Sequence, residues 1–517
     1  MSAADRLVQD LNILIESTVS NITTTISKVP GSAIVIRYVQ SSYQNDPARS
    51  VLELLLLLFA VRYFLASKYS YNKKNYVRLT EDEVEELIED WTPEPLIKPI
   101  TELDQKNIDD IPIIETHNGP IVKLQGHNGR EFLNLTSTDV YNFNNNDRIK
   151  QEAIRSVRKH GVGSCGPAGF YGHQDAHWDC ERALSDFLGT ERSILYSQGF
   201  ATSSSVIPCF LKRGDVIIAD DKINLGIQKG MQLSRASVFW YEHNNMEELE
   251  KVMILANKKK QRGPIPRRFL ITEGIYETEG DSPDLATMIK LKHKYKYRLL
   301  IDESWSFGIL GDHGKGLPEQ LGIDRKEIDI TLGVLASAFG SAGGFCTGET
   351  AMVEHQRITS LAYTFSATMP AYLANSTTAV INWFFKDDEW RAKNFTSIRH
   401  KSRLFRDIIA ESKFIDMNNV DNSPMFILRI AEPILDRKLK SISDKAQEAL
   451  EIEALLQLIV DECLSEGVLI SRQKVLPEFE TFPVDRAIKV TISNDLTDDQ
   501  VQRAARTIVN SFRVKLQ

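Results

Sequence analysis

The stretch RLLIDESWSFGILGDHGKG, residues 298–316, decides the fold. It opens on a short apolar run closed by Asp302, and glycines follow at Gly308, Gly311, Gly314 and Gly316. An apolar run of strand length, bounded by a glycine-rich turn, reads as a strand buried on both faces. Five further runs follow the same pattern, SILYSQ (193–198), DVIIAD (215–220), SVFWYE (237–242), RFLITEG (268–274) and DITLGVLAS (329–337). Helical stretches separate them. Continuous apolar strands alternating with helices imply an α/β architecture with a mostly parallel sheet covered on both faces. Ligands of such sheets gather at the carboxyl ends of the strands. Asp220, Glu273 and Asp302 each close a strand, which puts acids at that mouth. A strand-end acid also serves to cap the next helix, and that accounts for any one of the three. It accounts less well for Gly274 after Glu273 and the four glycines after Asp302.

The chain has 517 residues, more than one ordinary domain of about 100–200 residues. Apolar residues make up 42% and charged residues 26%, an ordinary globular balance that excludes disordered and fibrous classes. Lys and Arg number 62 against 70 Asp and Glu, a net charge of −8, so a nucleic-acid partner is not expected. The five cysteines, Cys165, Cys180, Cys209, Cys346 and Cys463, form no C-x-x-C pair and read as reduced thiols, with no metal site. The strands and helices place a large domain at 146–385. Residues 386–517 turn charged and helix-rich around one late strand, AIKVTIS (487–493), and form a smaller α+β C-terminal domain. Residues 71–145 read as a linker and N-terminal arm. There, LTEDEVEELIEDW (79–91) is an acidic amphipathic helix, and PIVKLQG and EFLNLT flank an Asn128-Gly129 hairpin turn. The basic run NKKKQRG (257–263) reads as a solvated loop.

The N-terminal segment differs from the rest. VLELLLLLFAVRYFLA (51–66) is the most apolar stretch, and extended over 48–70 it reaches the length of a transmembrane helix. A buried core helix is the other reading. Lys68, Lys73, Lys74 and Arg78 follow the run more densely than Arg37 and Arg49 precede it, which places the bulk of the chain on the cytosolic side. In the segment 1–47, Leu7, Leu11, Leu14, Ile15, Val19, Ile22 and Ile26 recur at a helical period suited to a membrane surface or a partner helix, and Asn21-Ile22-Thr23 is a glycosylation sequon.

Six motifs in order resemble the α-oxoamine synthase branch of the fold-type-I pyridoxal-phosphate transferases, from about Glu131 to the C-terminus. They are GVGSCGPAGFYGHQDAHWDCERALSDF (161–187), YSQGFATSSSVI (196–207), LITEGIYETEGD (270–281), LIDESWSFGILGDHGKG (300–316), FGSAGGF (339–345) and YTFSATMP (363–370). The resemblance makes Gly199, ahead of Thr202 and Ser203, the cradle of a cofactor phosphate at a helix N-terminus. It makes Asp302 the partner of the pyridine nitrogen, the contact that turns the ring into an electron sink.

The departures bear on chemistry. The family's aldimine lysine falls at Ser337, whose hydroxyl forms no imine. No lysine occurs between Lys326 and Lys386. Asn224 stands where a ring-stacking histidine is expected, and Trp305 replaces the histidine three residues after Asp302, where it would crowd a pyridine ring. The resemblance then implies no catalytic residue in this chain, no covalently bound cofactor, and only vestigial roles for Asp302 and Gly199.

An N-terminal anchor joined to a lost lysine resembles, within the family, the non-catalytic long-chain-base subunits of serine palmitoyltransferases. This implies a sphingolipid-synthesis acyltransferase of the endoplasmic reticulum membrane that condenses L-serine with palmitoyl-CoA to 3-ketosphinganine. The pyridoxal 5'-phosphate would be held by a catalytic partner subunit of the same fold, and a small activating subunit, Orm-type regulatory proteins and membrane lipid would be further partners. Family dimers build their sites across the interface. Cys165, Phe170, Tyr171, Ser366 and Thr368 are therefore expected to contribute to the partner's active site. A small buried loop residue is the other reading of Cys165. A self-sufficient pyridoxal enzyme is the alternative function, and Ser337 discriminates against it.

Overall fold

The computed structural model describes residues 32–65, 79–93, 95–97, 99–100, 102–116, 119–258, 265–440, 442 and 444–517. The helical pattern of Leu7 to Ile26, the Asn21 sequon, Lys68, Lys73, Lys74, Arg78 and most of the basic run at 257–263 lie outside these residues. The chain falls into two compact units, one up to Pro99 and one from Ile100 onward.

The described part of the first unit is mostly helical. A helix over Ser32–Asn45 is followed by one over Pro47–Leu65, with proline at the start of the second. The second carries the leucine run, with Leu54, Leu55, Leu56, Leu57 and Leu58 all more than half exposed. It ends at Leu65, and residues 66–70 of the span expected over 48–70 lie outside the described residues. No helix among the described residues is long and apolar enough to cross a membrane. This helix has 19 residues. Arg49 and Glu53 in its first half and Arg62 near its end interrupt the apolar length. The acidic helix is present at Glu81–Asp90, and a capping box between Thr80 and Glu83 fixes its start.

The second unit is built on three sheets. In chain order the strands are β1 (Ile121–Lys123), β2 (Glu131–Asn134), β3 (Arg192–Tyr196), β4 (Val216–Asp220), β5 (Ser237–Tyr241), β6 (Arg268–Glu273), β7 (Arg298–Asp302), β8 (Ile330–Val334) and β9 (Gly344–Gly348). There follow β10 (Ile415–Asn418), β11 (Met425–Ile430), β12 (Val468–Leu469), β13 (Ser471–Arg472) and β14 (Ile488–Thr491). The central sheet runs β3-β9-β8-β7-β6-β4-β5. Its pairs from β5 to β8 are parallel, and β9 runs antiparallel to both of its neighbours. The sheet is therefore mixed, with one reversed strand. All six strands read from sequence are present. The seventh, GFCTG, has no apolar run to announce it.

Alternate side chains of the strands feed opposite cores. Ile217, Ile271, Leu300 and Leu332 pack with Ile207, Ile227 and Met231 on one face. Ile218, Leu270, Leu299 and Ile301 pack with Leu184, Leu249 and Met288 on the other. Burial on both faces is what made the strands read as continuous apolar runs. The Asn128-Gly129 turn joins β1 to β2 with positive φ at both residues, 51° and 75°, the geometry that a tight hairpin demands. The late strand is β14, within the sheet β10-β11-β14-β13. The last helix, Asp498–Leu516, starts at a Thr497–Gln500 capping box.

Candidate functional site

The parallel register sets the acids at one edge. Glu273 and Asp302, the last residues of β6 and β7, are direct neighbours. Both are buried. Burial, and then the nearby Asp302, push the Glu273 carboxyl well above the usual range, while the backbone N–H groups of Asn224 (2.6 Å) and Glu277 (3.1 Å) donate to it. Burial also raises the Asp302 carboxyl, against hydrogen bonds from the Ser304 N–H (2.9 Å) and hydroxyl (2.5 Å) that favour its ionised form.

A cavity of about 650 Å³ opens over these strand ends, and its wall includes Gly199, Asn224, Asp302, Trp305, Ser337 and Lys489. The structure thus brings together all five positions that the sequence assigned to a vestigial cofactor site. Gly199 begins the helix Gly199–Phe210, where a Cβ would come within 3.0 Å of Val334 on β8. Asn224 does not project as a stacking group. It caps the helix Leu225–Ser234 through Oδ1, which accepts from the Ile227 N–H at 3.0 Å. The Ser337 hydroxyl donates to the Ser304 carbonyl at 2.9 Å, and the residue is 5% exposed.

Trp305 carries a cation. The Lys489 ammonium, reaching in from β14, sits 3.5 Å from the centre of its ring and 3.0 Å from Glu277. This corrects the local reading that no lysine is at hand. The sequence window around Ser337 holds none, yet the fold delivers Lys489, and Lys474 also lines the cavity. The amine of Lys489 is engaged by a carboxylate and an aromatic face. Along the sequence, Lys489, Glu277 and Lys474 carry no local motif that would place them at the cavity.

The residues expected at a partner's site do not line this cavity. Cys165, Phe170, Tyr171, Ser366 and Thr368 gather in a clasp of two loops, 164–172 and 365–368. The Thr368 N–H and hydroxyl donate to the Gly166 carbonyl at 3.0 and 3.3 Å, the Ser164 hydroxyl donates to the Thr368 carbonyl at 2.6 Å, and Pro167 bridges Ala367. The Ser366 hydroxyl lies 3.5 Å from that of Ser197. Cys165 is exposed and holds φ at 59°, so it is not a small buried loop residue. Phe170, Tyr171 and Phe365 present their rings to solvent, each about 70% exposed.

A family model described as aminotransferase class I and II matches residues 130–508. Among curated relatives, serine palmitoyltransferase 1 of Saccharomyces cerevisiae is 34% identical and covers 94% of this chain and 93% of its own length. Long chain base biosynthesis protein 1 of Arabidopsis thaliana is 35% identical over 87% of this chain and 89% of its own. Among solved structures, a serine palmitoyltransferase from S. paucimobilis carrying a PLP–myriocin aldimine aligns with a TM-score of 0.67 at 20% identity, covering 80% of this chain and 96% of that one. That likeness is one of fold.

Proposed function

Because the chain belongs to the aminotransferase class I and II family and, within it, to the group of serine palmitoyltransferase 1 and long chain base biosynthesis protein 1, we propose that it is the structurally required, non-catalytic subunit of a serine palmitoyltransferase. The complex condenses L-serine with palmitoyl-CoA to 3-ketosphinganine, the first step of sphingolipid synthesis. One observation carries the silent role: at the mouth of the sheet the imine-forming position is Ser337, and the lysine that does reach the cavity is held by Glu277 and Trp305.

These residues do not fit a covalently held pyridoxal phosphate. Asp302 and the Gly199 helix start match the family's ring-nitrogen and phosphate positions, but the family's imine lysine position is Ser337. The cofactor then belongs to the catalytic subunit 2. This chain's contribution is the clasp with Cys165, Phe170, Tyr171, Ser366 and Thr368, which borders the partner's site. The exposed leucines of the helix Pro47–Leu65 seat the chain in the endoplasmic reticulum membrane, where the small activating subunit and the Orm-type proteins dock, and leave the α/β unit in the cytosol.

The test is borohydride reduction of the purified full chain with added pyridoxal phosphate, followed by peptide mapping. The expected result is no pyridoxyl-lysine at the cavity. Label on Lys489 or Lys474 would favour the alternative, a self-sufficient pyridoxal-dependent α-oxoamine synthase.

A further inference from the structure

One face of the helix Asp175–Leu188 serves both ends of the clasp loop that carries Phe365, Ser366 and Thr368. His177 and Glu181 lie a helical turn apart on that face, and both are buried. At the far end of the loop the His177 Nε2–H donates to the Met369 carbonyl at 2.7 Å, while Nδ1 accepts the Gln174 N–H at 3.0 Å. Both ring nitrogens are engaged, and burial keeps the ring neutral.

At the near end the hold runs through Arg357. Its guanidinium donates to Glu181 at 2.7 Å and to the Tyr363 hydroxyl at 2.7 Å, and it lies over the Trp178 ring at 4.8 Å. Glu181 also accepts the Leu195 N–H of β3 at 3.1 Å, so the near end is referenced to the central sheet. Tyr363 and Met369 are buried, whereas Phe365 and Ala367 between them are exposed.

Stability alone does not call for this arrangement. Well-packed apolar side chains in place of a buried ion pair are often neutral or stabilising. What a guanidinium adds is direction, because its rigid fork holds two acceptors at a set separation. With Tyr363 and Met369 both tied to one helix face, residues 364–368 have little conformational freedom left to lose. Such a mount suits groups that must stand at a fixed place relative to something outside this chain.

We propose that His177 and Arg357 are positioning residues for the condensation: by tying Met369 and Tyr363 to one helix face, they set where Phe365 and Ser366 stand relative to the catalytic subunit. This rests on the reading above that the clasp borders the partner's site.

The test titrates catalytic subunit 2 with the full chain and follows the condensation of L-serine with palmitoyl-CoA by release of the CoA thiol. The titration gives a Kd for assembly and a plateau kcat. Tyr363→Phe removes only the hydroxyl that Arg357 holds, and His177→Leu removes the donor to Met369. Each should lower the plateau kcat about five- to tenfold, the weight of one buried hydrogen bond, with the assembly Kd and both KM values unchanged. His177→Gln, whose amide N–H replaces the ring donor, should recover most of the plateau. The inference is overturned if Tyr363→Phe keeps the full plateau, if the variants shift only the assembly Kd or the unfolding midpoint, or if His177→Gln is as impaired as His177→Leu. A wild-type chain that fails to raise the activity of subunit 2 would overturn the proposed function, and this inference with it.

Discussion

Replacing Gly172 by alanine should spring the clasp between loops 164–172 and 365–368. A Cβ at this position would stand 1.8 Å from the Gly166 carbonyl oxygen, 2.6 Å from its carbon and 2.8 Å from Thr368 Oγ1. Two of those atoms are backbone, so no rotamer change relieves the clash. The Gly166 carbonyl is also the acceptor for both Thr368 donors, and Thr368 in turn accepts from Ser164. The two loops must part, and three hydrogen bonds go with the movement. At roughly 0.5–1.5 kcal/mol each, the closed clasp loses about 1.5–4.5 kcal/mol. Its opening equilibrium then rises by about one to three orders of magnitude. Native-state amide exchange reads this directly: the Thr368 N–H should lose protection by that factor, while amides in β6 and β7 keep theirs. Gly169→Ala is the control, since a Cβ there meets nothing within 4 Å. Activity of the complex should fall with Gly172→Ala and hold with Gly169→Ala. Unchanged protection of the Thr368 amide would refute the reasoning, because the clasp would then not depend on the close approach.

Three further outcomes are expected. Burial draws the His243 imidazolium down, but Asp220 at 2.9 Å and Asp281 at 3.0 Å outweigh it and hold the group at about 10, against 6.5 when free. The folded-state value is the raised one. Its stabilisation is therefore complete below about pH 6.5 and is lost as pH rises toward about 10, so the urea midpoint should fall across that window in the native chain and stay flatter in His243→Gln. Arg357→Met leaves the buried Glu181, 2.7 Å from the guanidinium, without its counter-charge and should cost about 3–5 kcal/mol in denaturant unfolding, most of it recovered when Glu181→Leu is added. Cys165→Trp places a large side chain at a left-handed φ of 59° on the clasp and, on the proposed function, should alter the activity or substrate choice of the complex, whereas Cys165→Gly should be tolerated.

Most of the α/β unit was legible because its strands are buried on both faces, so local sequence carried the signal. What escaped has physical reasons. β9 is GFCTG, and its glycines serve close packing: a Cβ on Gly344 would meet the Thr202 hydroxyl at 2.3 Å. A five-residue strand with glycine at both ends leaves only Phe345 and Cys346 as adjacent apolar residues, too short a run to stand out. The leucine run is the opposite case. Its apolar character is local and strong, but Arg49 and Glu53 shorten what can be counted as membrane length. Lys489 escaped because a search along the chain for a substitute lysine sees only neighbours in sequence, while β14 enters the cavity from a separate sheet.

The same geometry explains why Asp302 and Ser337 remain at a site without an imine lysine. With a bound pyridinium, the Asp302 carboxylate would face a cation. Here its oxygen accepts both the N–H and the hydroxyl of Ser304, and the carbonyl of Ser304 accepts the Ser337 hydroxyl. The two residues hold the turn after β7 from opposite sides and tie it to the segment that follows β8. Ser337→Lys would remove this brace, and it would bring a second ammonium into the cavity that already holds Lys489, with Glu277 already taken. Desolvation and the like charge would both oppose protonation of the new amine. An amine in that state is chemically able to form an imine, yet Trp305 would still stand where the family has a histidine, and its face would still be covered by Lys489. Imine chemistry at position 337 would therefore take more than the one lysine. It requires Trp305 and Lys489 to be changed with it, because the two pack against each other in the cavity wall.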